Sequence, residues 1–125
     1  MNNLIIDTAG EKIFLKIISN DKEYNIKHDN CRENFDELVN LVFNFLEVNF
    51  INLSKIDNIF INQGPGKYTS IRSAISIVKA LKITKSVNIY GYYTSQISNN
   101  NYNILLKLLE EGRLTKNFIQ PKYLN

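Results

Sequence analysis

The sequence predicts a single α/β domain with one mixed five-stranded sheet, and three observations support this prediction. Short apolar runs that suit strands alternate, in the second half of the chain, with longer runs of helical periodicity. Three strand-like runs stand at the start of the chain with only short turns between them. A chain of 125 residues has room for one core of moderate size and not for two.

The predicted elements follow one another in the order β-β-β-α-β-α-β. The first three strands are NLIID, KIFLKIIS and EYNIKH, separated by the turns TAGE and NDK. A helix capped by Asn34 runs to about Phe50, and the strand KIDNIFIN, the helix SIRSAISIVKALKI and the strand SVNIYGY come next. A short helical piece, TSQIS, and a last helix, ILLKLLEEG, complete the chain. Right-handed crossovers place strands four and five beside strand one, which is the ribonuclease-H-like arrangement.

Composition excludes several classes of protein. The net charge of +3 is small and comes mainly from lysine, so it does not indicate a nucleic-acid-binding protein. The single cysteine, Cys31, excludes an internal disulfide and a cysteine-rich metal site. The start of the chain lacks the features of a signal peptide, and no apolar run approaches the length of a membrane span. We therefore expect a soluble cytoplasmic protein that does not contact a membrane.

The segment GPGKYTS forms a sharp corner between the fourth strand and the second helix. Pro65 ends the strand, Gly66 suits a positive φ in a type II turn, and Thr69 or Ser70 suits the N-cap of the helix. One interpretation is an anion cradle, in which backbone amides and the helix N-terminus face a phosphate. The other is a tight strand-to-helix turn, which chemistry alone favours. The spacing excludes a Walker A loop.

Acidic side chains do not form a catalytic pattern. A nuclease on this fold needs carboxylates that converge on metal ions, and Asp7 ends the first strand, where one would be expected. The fourth strand ends instead in Asn62 and Gln63, so Asp7 is predicted to bond the amides of its own turn. His28 has no second histidine or nucleophile assigned to it, and Asp36 and Glu37 suit the first turn of a helix.

The two helices carry more apolar residues than one buried stripe requires. In the first helix, Phe35, Leu38, Val42 and Phe45 fit one face, and Val39, Phe43, Leu46 and Phe50 extend onto the next. The second helix contains the small residues Ser73, Ala74, Ser76 and Ala80. A surplus of this kind indicates a partner site. Alternatively, the C-terminal helix from Ile104 to Leu109 covers it, and both interpretations stay open.

The chain resembles the bacterial TsaB (YeaZ) family, which takes part in making threonylcarbamoyladenosine on tRNA. The family hallmark G-P-G-S-F-T-G-L-R reads GPGKYTSIR here, so that Gly64, Pro65, Gly66, Thr69 and Arg72 match, while Tyr68 and Ile71 are conservative changes. LIIDTA, YGYYTSQI, the pair Lys79 and Leu81, and the ending QPKYLN are similar to further family segments.

Several positions depart from the family pattern. Lys67, Ser70 and Ala74 stand where the family has serine and two glycines, and Asn34 and Asn125 replace a histidine and an arginine. The second lobe of the family would fall between Ile97 and Tyr102, where only SNNN remains. We therefore expect a lobe at 1–97, a short polar linker at 98–103, and a C-terminal helix with its tail at 104–125 that packs on the lobe.

The resemblance implies a function through contacts rather than catalysis. It implies the lobe of an actin-like ATPase (ASKHA) fold, no catalytic residue, no metal and no cofactor. It implies a heterodimer with a TsaD-like transferase, a TsaE-like ATPase in a larger complex, a homodimer when the chain is alone, and only indirect contact with tRNA. The implied interface residues are Phe35, Leu38, Val39, Val42, Phe43, Leu46, Ile71, Ala74, Ile75, Val78 and Leu81. A self-associating homodimer of divergent role and a degenerate nucleotide-binding enzyme are the alternatives.

Overall fold

Five strands form one mixed sheet in the order β3-β2-β1-β4-β5. They are β1 (Asn2–Asp7), β2 (Lys12–Ser19), β3 (Lys22–Asp29), β4 (Asn58–Asn62) and β5 (Asn88–Tyr92). β1, β2 and β3 are antiparallel neighbours, whereas β4 is parallel to β1 and β5 is parallel to β4. The structure is a computed structural model that describes residues 1–84, 86–99 and 101–122. It confirms the predicted strands and their order.

Four α-helices connect and follow the strands: α1 (Arg32–Asp36), α2 (Leu38–Val48), α3 (Tyr68–Thr84) and α4 (Ile104–Glu110). The single helix predicted before β4 is interrupted at Glu37, whose backbone leaves the helical region. Asn34 is not its N-cap, because α1 begins at Arg32 after Cys31. The Asn34 side chain instead donates to the carbonyl of Asp29 at 2.7 Å. The predicted TSQIS helical piece is a single 3₁₀ turn, Thr94–Gln96.

The sheet has an apolar core on each of its two faces. On one face, isoleucine and leucine side chains from β1, β2, β4 and β5 pack against α2 and α3. On the other face, Ile5, Phe60 and Tyr92 pack against Leu105 and Leu108 of α4. This alternation follows from the strand pleat, in which successive side chains point to opposite faces. α4 therefore lies across the sheet from α2 and α3.

None of the described helices is long and apolar enough to cross a membrane.

Candidate functional site

Asp7, at the carboxyl end of β1, is surrounded by polar side chains from the ends of β4 and β5 and from the segment before α4. Oδ2 of Asp7 accepts hydrogen bonds from the Tyr92 hydroxyl at 2.8 Å and from the Asn62 amide at 3.1 Å. The hydroxyl of Tyr102 donates to the same oxygen at 3.0 Å, and the amide of Ala9 donates to Oδ1 at 3.0 Å. Asp7 is buried, so these four donors satisfy a carboxylate that would otherwise be costly to remove from water.

The two tyrosines stay protonated in this arrangement. Burial raises the pKa of the Tyr92 hydroxyl well above its ordinary value, and the Asp7 carboxylate raises it further. The pKa of Tyr102 is raised in the same direction, by burial first and by Asp7 second. Both hydroxyls are therefore donors to Asp7 over the whole neutral range.

Asp7 acts as a structural acceptor in this geometry. The bond from the Ala9 amide agrees with the turn role predicted from the sequence, but the bonds from Tyr92, Tyr102 and Asn62 were not predicted. Tyr102 is buried although it falls in the segment predicted as a polar linker. Among the described residues, no group of three or more His, Cys, Asp or Glu side chains is placed to hold a metal ion.

The Gly-Pro-Gly corner turns at Gly64 rather than at Gly66. Gly64 has a φ of +101°, and the peptide bond between Gly64 and Pro65 is cis, so the predicted type II turn with a positive φ at Gly66 is wrong. The Gly64 amide donates to Oδ1 of Asn62 at 2.7 Å, and its carbonyl accepts from the Thr94 amide at 2.9 Å. The corner is thereby tied to the end of β4 and to the segment after β5.

Gly66 is needed for close approach to the β1–β2 turn. A Cβ at this position would lie 2.3 Å from the carbonyl oxygen of Ala9, closer than real Cβ contacts allow. The same carbonyl accepts a hydrogen bond from the Lys67 amide at 2.9 Å. The corner therefore packs directly on the turn that follows Asp7.

The remaining hallmark residues start α3. The helix begins at Tyr68, and the Lys67 carbonyl accepts from the Ile71 amide at 3.0 Å, so the prediction that Thr69 or Ser70 caps it is wrong. Ser70 is buried and donates to Oδ1 of Asn30 at 2.7 Å. Thr69 and Arg72 are exposed, and Tyr68 is 37% exposed.

Asn30 connects the β1–β2 turn with α3, and sequence reasoning missed it. Its buried side-chain amide donates to the carbonyls of Thr8 and Gly10, each at 2.8 Å, while its oxygen accepts from Ser70. A single asparagine between a strand and a helix gives no sequence signal for such a role, because its partners are distant along the chain.

Seven of the predicted interface residues lie in the core of the chain. They are Leu38, Val42, Leu46, Ile71, Ala74, Ile75 and Val78, each at most 3% exposed. These side chains pack against the sheet and have no surface for a partner, so they are core residues. Phe35 and Leu81 are partly buried against the same core.

Part of the exposed apolar surface lies on the outer side of α2, and Phe50, Ile83 and Phe118 expose further apolar surface elsewhere. Val39 and Phe43 are each 42% exposed, and Val48 is 67% exposed. We call Val39, Phe43 and Val48, with the neighbouring exposed residues Asn40, Asn44 and Glu47, the α2 outer face. The alternative that the C-terminal helix covers this surface is wrong, because α4 packs on the opposite face of the sheet.

α3 presents a different surface to solvent. Its exposed residues Arg72, Ser76, Lys79 and Ile83, which we call the α3 outer face, recur at the spacing of one helical stripe. α1 and α2, with Glu37 between them, carry four acidic side chains against the single base Arg32, whereas the charges of the α3 outer face are basic. The α1–α2 side thus has an excess of negative charge, and the α3 outer face is positive.

Comparison with known proteins agrees with the family motifs seen in the sequence. The chain is 25% identical over 81 residues to the tRNA threonylcarbamoyladenosine biosynthesis protein TsaB of Buchnera aphidicola subsp. Baizongia pistaciae, a match that covers 64% of this chain and 36% of that protein. The resemblance to the TsaB (YeaZ) family is confirmed. No protein-family model matches the chain.

Two solved structures share the TsaB-like fold. YeaZ from Pseudomonas aeruginosa has a TM-score of 0.68 at 22% identity over 89% of this chain and 50% of that chain. A protein described as uncharacterized, with similarity to peptidase YeaZ from Pseudomonas aeruginosa, has a TM-score of 0.68 at 23% identity over 74% of this chain and 43% of that one. These likenesses confirm the predicted fold class. The chain thus spans half or less of the length of the relatives that it matches.

Other residues singled out in the sequence have local roles or none that the structure shows. Asp36 lies 3.9 Å from the Arg32 guanidinium within α1, and Glu37 accepts from the Asn40 side chain at 2.6 Å. His28 lies on the edge strand β3, and Cys31 is an exposed free cysteine. Asn125 and the end of the TsaB-like segment QPKYLN lie outside the described residues.

Proposed function

We propose that this chain is a noncatalytic scaffold subunit of the machinery that makes threonylcarbamoyladenosine on tRNA. In this proposal it binds a TsaD-like transferase, activates it through contacts and transfers no group itself. The proposal draws on the similarity to a protein named for tRNA threonylcarbamoyladenosine biosynthesis, TsaB. It places the chain in the cytoplasm, requires no cofactor, and allows a TsaE-like ATPase to join a larger complex.

The single observation that carries the proposal is the exposed apolar surface of α2. Val39 and Phe43 stand one helical turn apart on α2, and each exposes 42% of its surface. Contiguous exposed apolar surface on a soluble domain is typical of a protein–protein contact. Burial of these side chains by a partner would remove them from water and stabilise the complex.

α3 supplies the second part of the proposed interface. The α3 outer face mixes basic residues with Ser76, and the exposed Ala80 lies beside it. Small residues let another helix approach closely, and Arg72 and Lys79 can pair with acidic groups of a partner. Two helices on one face of the sheet would then contribute to one bundle-like contact.

The Gly-Pro-Gly corner fits this proposal as a positioning element rather than an anion cradle. It joins the end of β4 to the β1–β2 turn and sets where α3 begins. Lys67 already contacts Glu11 and the Asn30 carbonyl, each at 3.4 Å. We assign Lys67 at most an auxiliary charge near the partner or tRNA, with contact to tRNA mainly through the partner.

Self-association is a second candidate function, and the charges favour it. In a two-fold dimer, the acidic α1–α2 side of one copy can face the basic α3 outer face of the other, and the reverse contact then forms by symmetry. Such a homodimer would use the same surfaces as the heterodimer. The transferase would therefore compete with the second copy.

Co-purification with the TsaD homologue of the same organism tests the scaffold proposal. Phe43→Asp places a charge on the α2 outer face, and Phe118→Asp is the matched control, since Phe118 is 91% exposed and lies in the segment after α4. Substitutions at Ile75 or Val78 would test folding instead, because both are buried. We expect a one-to-one complex for the wild type and for Phe118→Asp, and loss of the complex for Phe43→Asp with a native circular dichroism spectrum.

Light scattering on a sizing column separates the two candidates. Suppose that the wild-type chain does not bind the transferase and elutes as a dimer, and that Phe43→Asp elutes as a monomer. This result would support self-association and contradict the scaffold proposal. A wild-type chain that is monomeric and binds no transferase would refute both.

A further inference from the structure

The two outer strands of the sheet differ in how their free edges are treated. β5 is covered, because Gly91 and Thr115 exchange two backbone hydrogen bonds of 2.8 Å. β3 pairs with β2 over its whole length in one continuous antiparallel register without a bulge, and its other edge faces outwards. A regular edge strand presents unpaired N–H and C=O groups to any chain that can add a strand.

The hydrogen-bond pattern shows which residues of β3 face outwards. One position beyond the β2–β3 register, the Asn30 amide donates to the Glu11 carbonyl at 3.0 Å. Hydrogen-bonded and non-hydrogen-bonded pairs alternate along an antiparallel ladder. The even-numbered residues of β3 therefore bond to β2, and Glu23, Asn25 and Lys27 direct their backbone groups outwards.

We call Glu23, Asn25 and Lys27 the β3 open edge. The next outward group, the Asp29 carbonyl, already accepts from the Asn34 side chain at 2.7 Å. Within the part of the chain that the structure describes, no hydrogen bond reaches the outward backbone groups of the open-edge residues. The open edge is thus a short run of free amides and carbonyls centred on Asn25.

One two-fold antiparallel register between two copies uses all of these groups. Asn25 lies opposite Asn25 of the second copy, and Glu23 lies opposite Lys27 of the second copy, so that every open-edge amide and carbonyl has a backbone partner. A shift of two residues would place Glu23 opposite Asp29, where two acids face each other and the carbonyl is already bonded.

The side chains are complementary in the same register. On the face that carries α4, Glu23 meets Lys27 of the second copy, and symmetry repeats this pair of opposite charges. Glu23 is also paired with Lys16 of its own copy at 2.8 Å. On the other face, Tyr24 lies opposite Ile26, and both are half-buried against the core, so the apolar layer continues across the junction. Lysine on an edge strand normally discourages pairing, but here its charge meets a glutamate.

We propose that this chain forms a two-fold homodimer through β3, in which the two sheets join into one continuous sheet. The assignment does not rest on the scaffold function or on self-association through the helices, because it uses the edge of the sheet and not α2 or α3.

Sedimentation velocity over a range of chain concentrations tests the proposal with charge-reversed variants. Lys27→Glu places two acids opposite each other at both ends of the junction, and Glu23→Lys places two lysines there. An equimolar mixture of the two variants restores opposite charges, but only in the mixed dimer. Both positions are exposed, so the variants should fold, and circular dichroism checks that they do. Phe43→Asp, on the α2 outer face, is the control.

We expect a wild-type dimer, self-association at least about tenfold weaker in each single variant, and recovery of the dimer in their mixture. Phe43→Asp should dimerise like the wild type. A monomeric wild type, a dimer unaffected by Lys27→Glu, no recovery in the mixture, or loss of the dimer in Phe43→Asp would each overturn the proposal.

Discussion

At the scale of single residues, Asp7 joins two parts of the chain that are far apart in sequence. Its carboxylate accepts from Tyr102, 95 residues later, and from Tyr92, 85 residues later. Asp7 could be placed at the end of β1 from the sequence, and its contact with the Ala9 amide is local. The tyrosine contacts could not be predicted, because nothing in the local pattern around Tyr102 indicates a buried partner.

The contribution of the Tyr102 hydroxyl to stability should depend on pH in the alkaline range. Its pKa in the folded chain lies above the ordinary value of 10.0, so the unfolded chain loses the proton first as the pH rises. The contribution of Tyr102 to the free energy of unfolding is therefore complete below pH 10.0 and decreases above it. Tyr102→Phe should be less stable at neutral pH by about 1.5 to 3 kcal/mol, the typical value of a hydrogen bond to a charged group. It should also lose less stability as the pH rises above 10.0.

Urea unfolding followed by circular dichroism across this pH range measures both effects. Tyr24→Phe, which removes a hydroxyl outside the Asp7 cluster, is the control. Equal alkaline slopes for the wild type and Tyr102→Phe would contradict the assignment.

The close approach of Gly66 to the β1–β2 turn can be tested by substitution, with Gly10 as the matched control. Gly66→Ala places a Cβ within 2.3 Å of the Ala9 carbonyl oxygen, so the corner and the β1–β2 turn must move apart. We expect a loss of about 1 to 3 kcal/mol in the free energy of unfolding, as for other overpacked sites. At Gly10 an added Cβ meets no atom within 4 Å, so Gly10→Ala should change stability little. Urea unfolding measures both variants. A similar loss of free energy of unfolding in both would contradict the close contact assigned to Gly66.

At the scale of elements, the sequence predicted the strands better than the faces of the helices. Period-two alternation distinguishes the two sides of a strand, and Ile13, Leu15 and Ile17 are all fully buried, as their alternation indicates. The first helical run is apolar on more than one side, so periodicity could not tell Val42, in the core, from Phe43, on the surface. The break at Glu37 also shifts the helical phase between α1 and α2.

α4 is too short to be stable by itself, and its burial on the second face of the sheet should hold it in place. Leu105 is fully buried against Ile5, Phe60 and Tyr92, whereas Leu106 is only partly buried. Leu105→Ala should lower the free energy of unfolding by about 2 to 5 kcal/mol, and Leu106→Ala by less. Thermal or urea unfolding gives the comparison. Equal losses would mean that α4 does not pack in this orientation.

At the scale of the whole molecule, element order alone was sufficient to predict the sheet topology. An antiparallel meander followed by two crossovers leaves few allowed arrangements, and the observed order β3-β2-β1-β4-β5 is the predicted one. The candidate interface was harder to predict, because it consists of the apolar side chains that stay exposed once the core has formed. α4 occupies one face of the sheet, and the α2 outer face remains exposed on the other.

The central claim is that the α2 outer face binds a TsaD-like transferase, and isothermal titration calorimetry tests it most directly. The purified TsaD homologue is titrated with the wild-type chain, Phe43→Asp and Phe118→Asp under identical conditions. We expect one-to-one binding by the wild type and Phe118→Asp, with an affinity at least about tenfold lower for Phe43→Asp, as for loss of a central apolar contact. Equal affinities for all three chains, or no binding by the wild type, would contradict it.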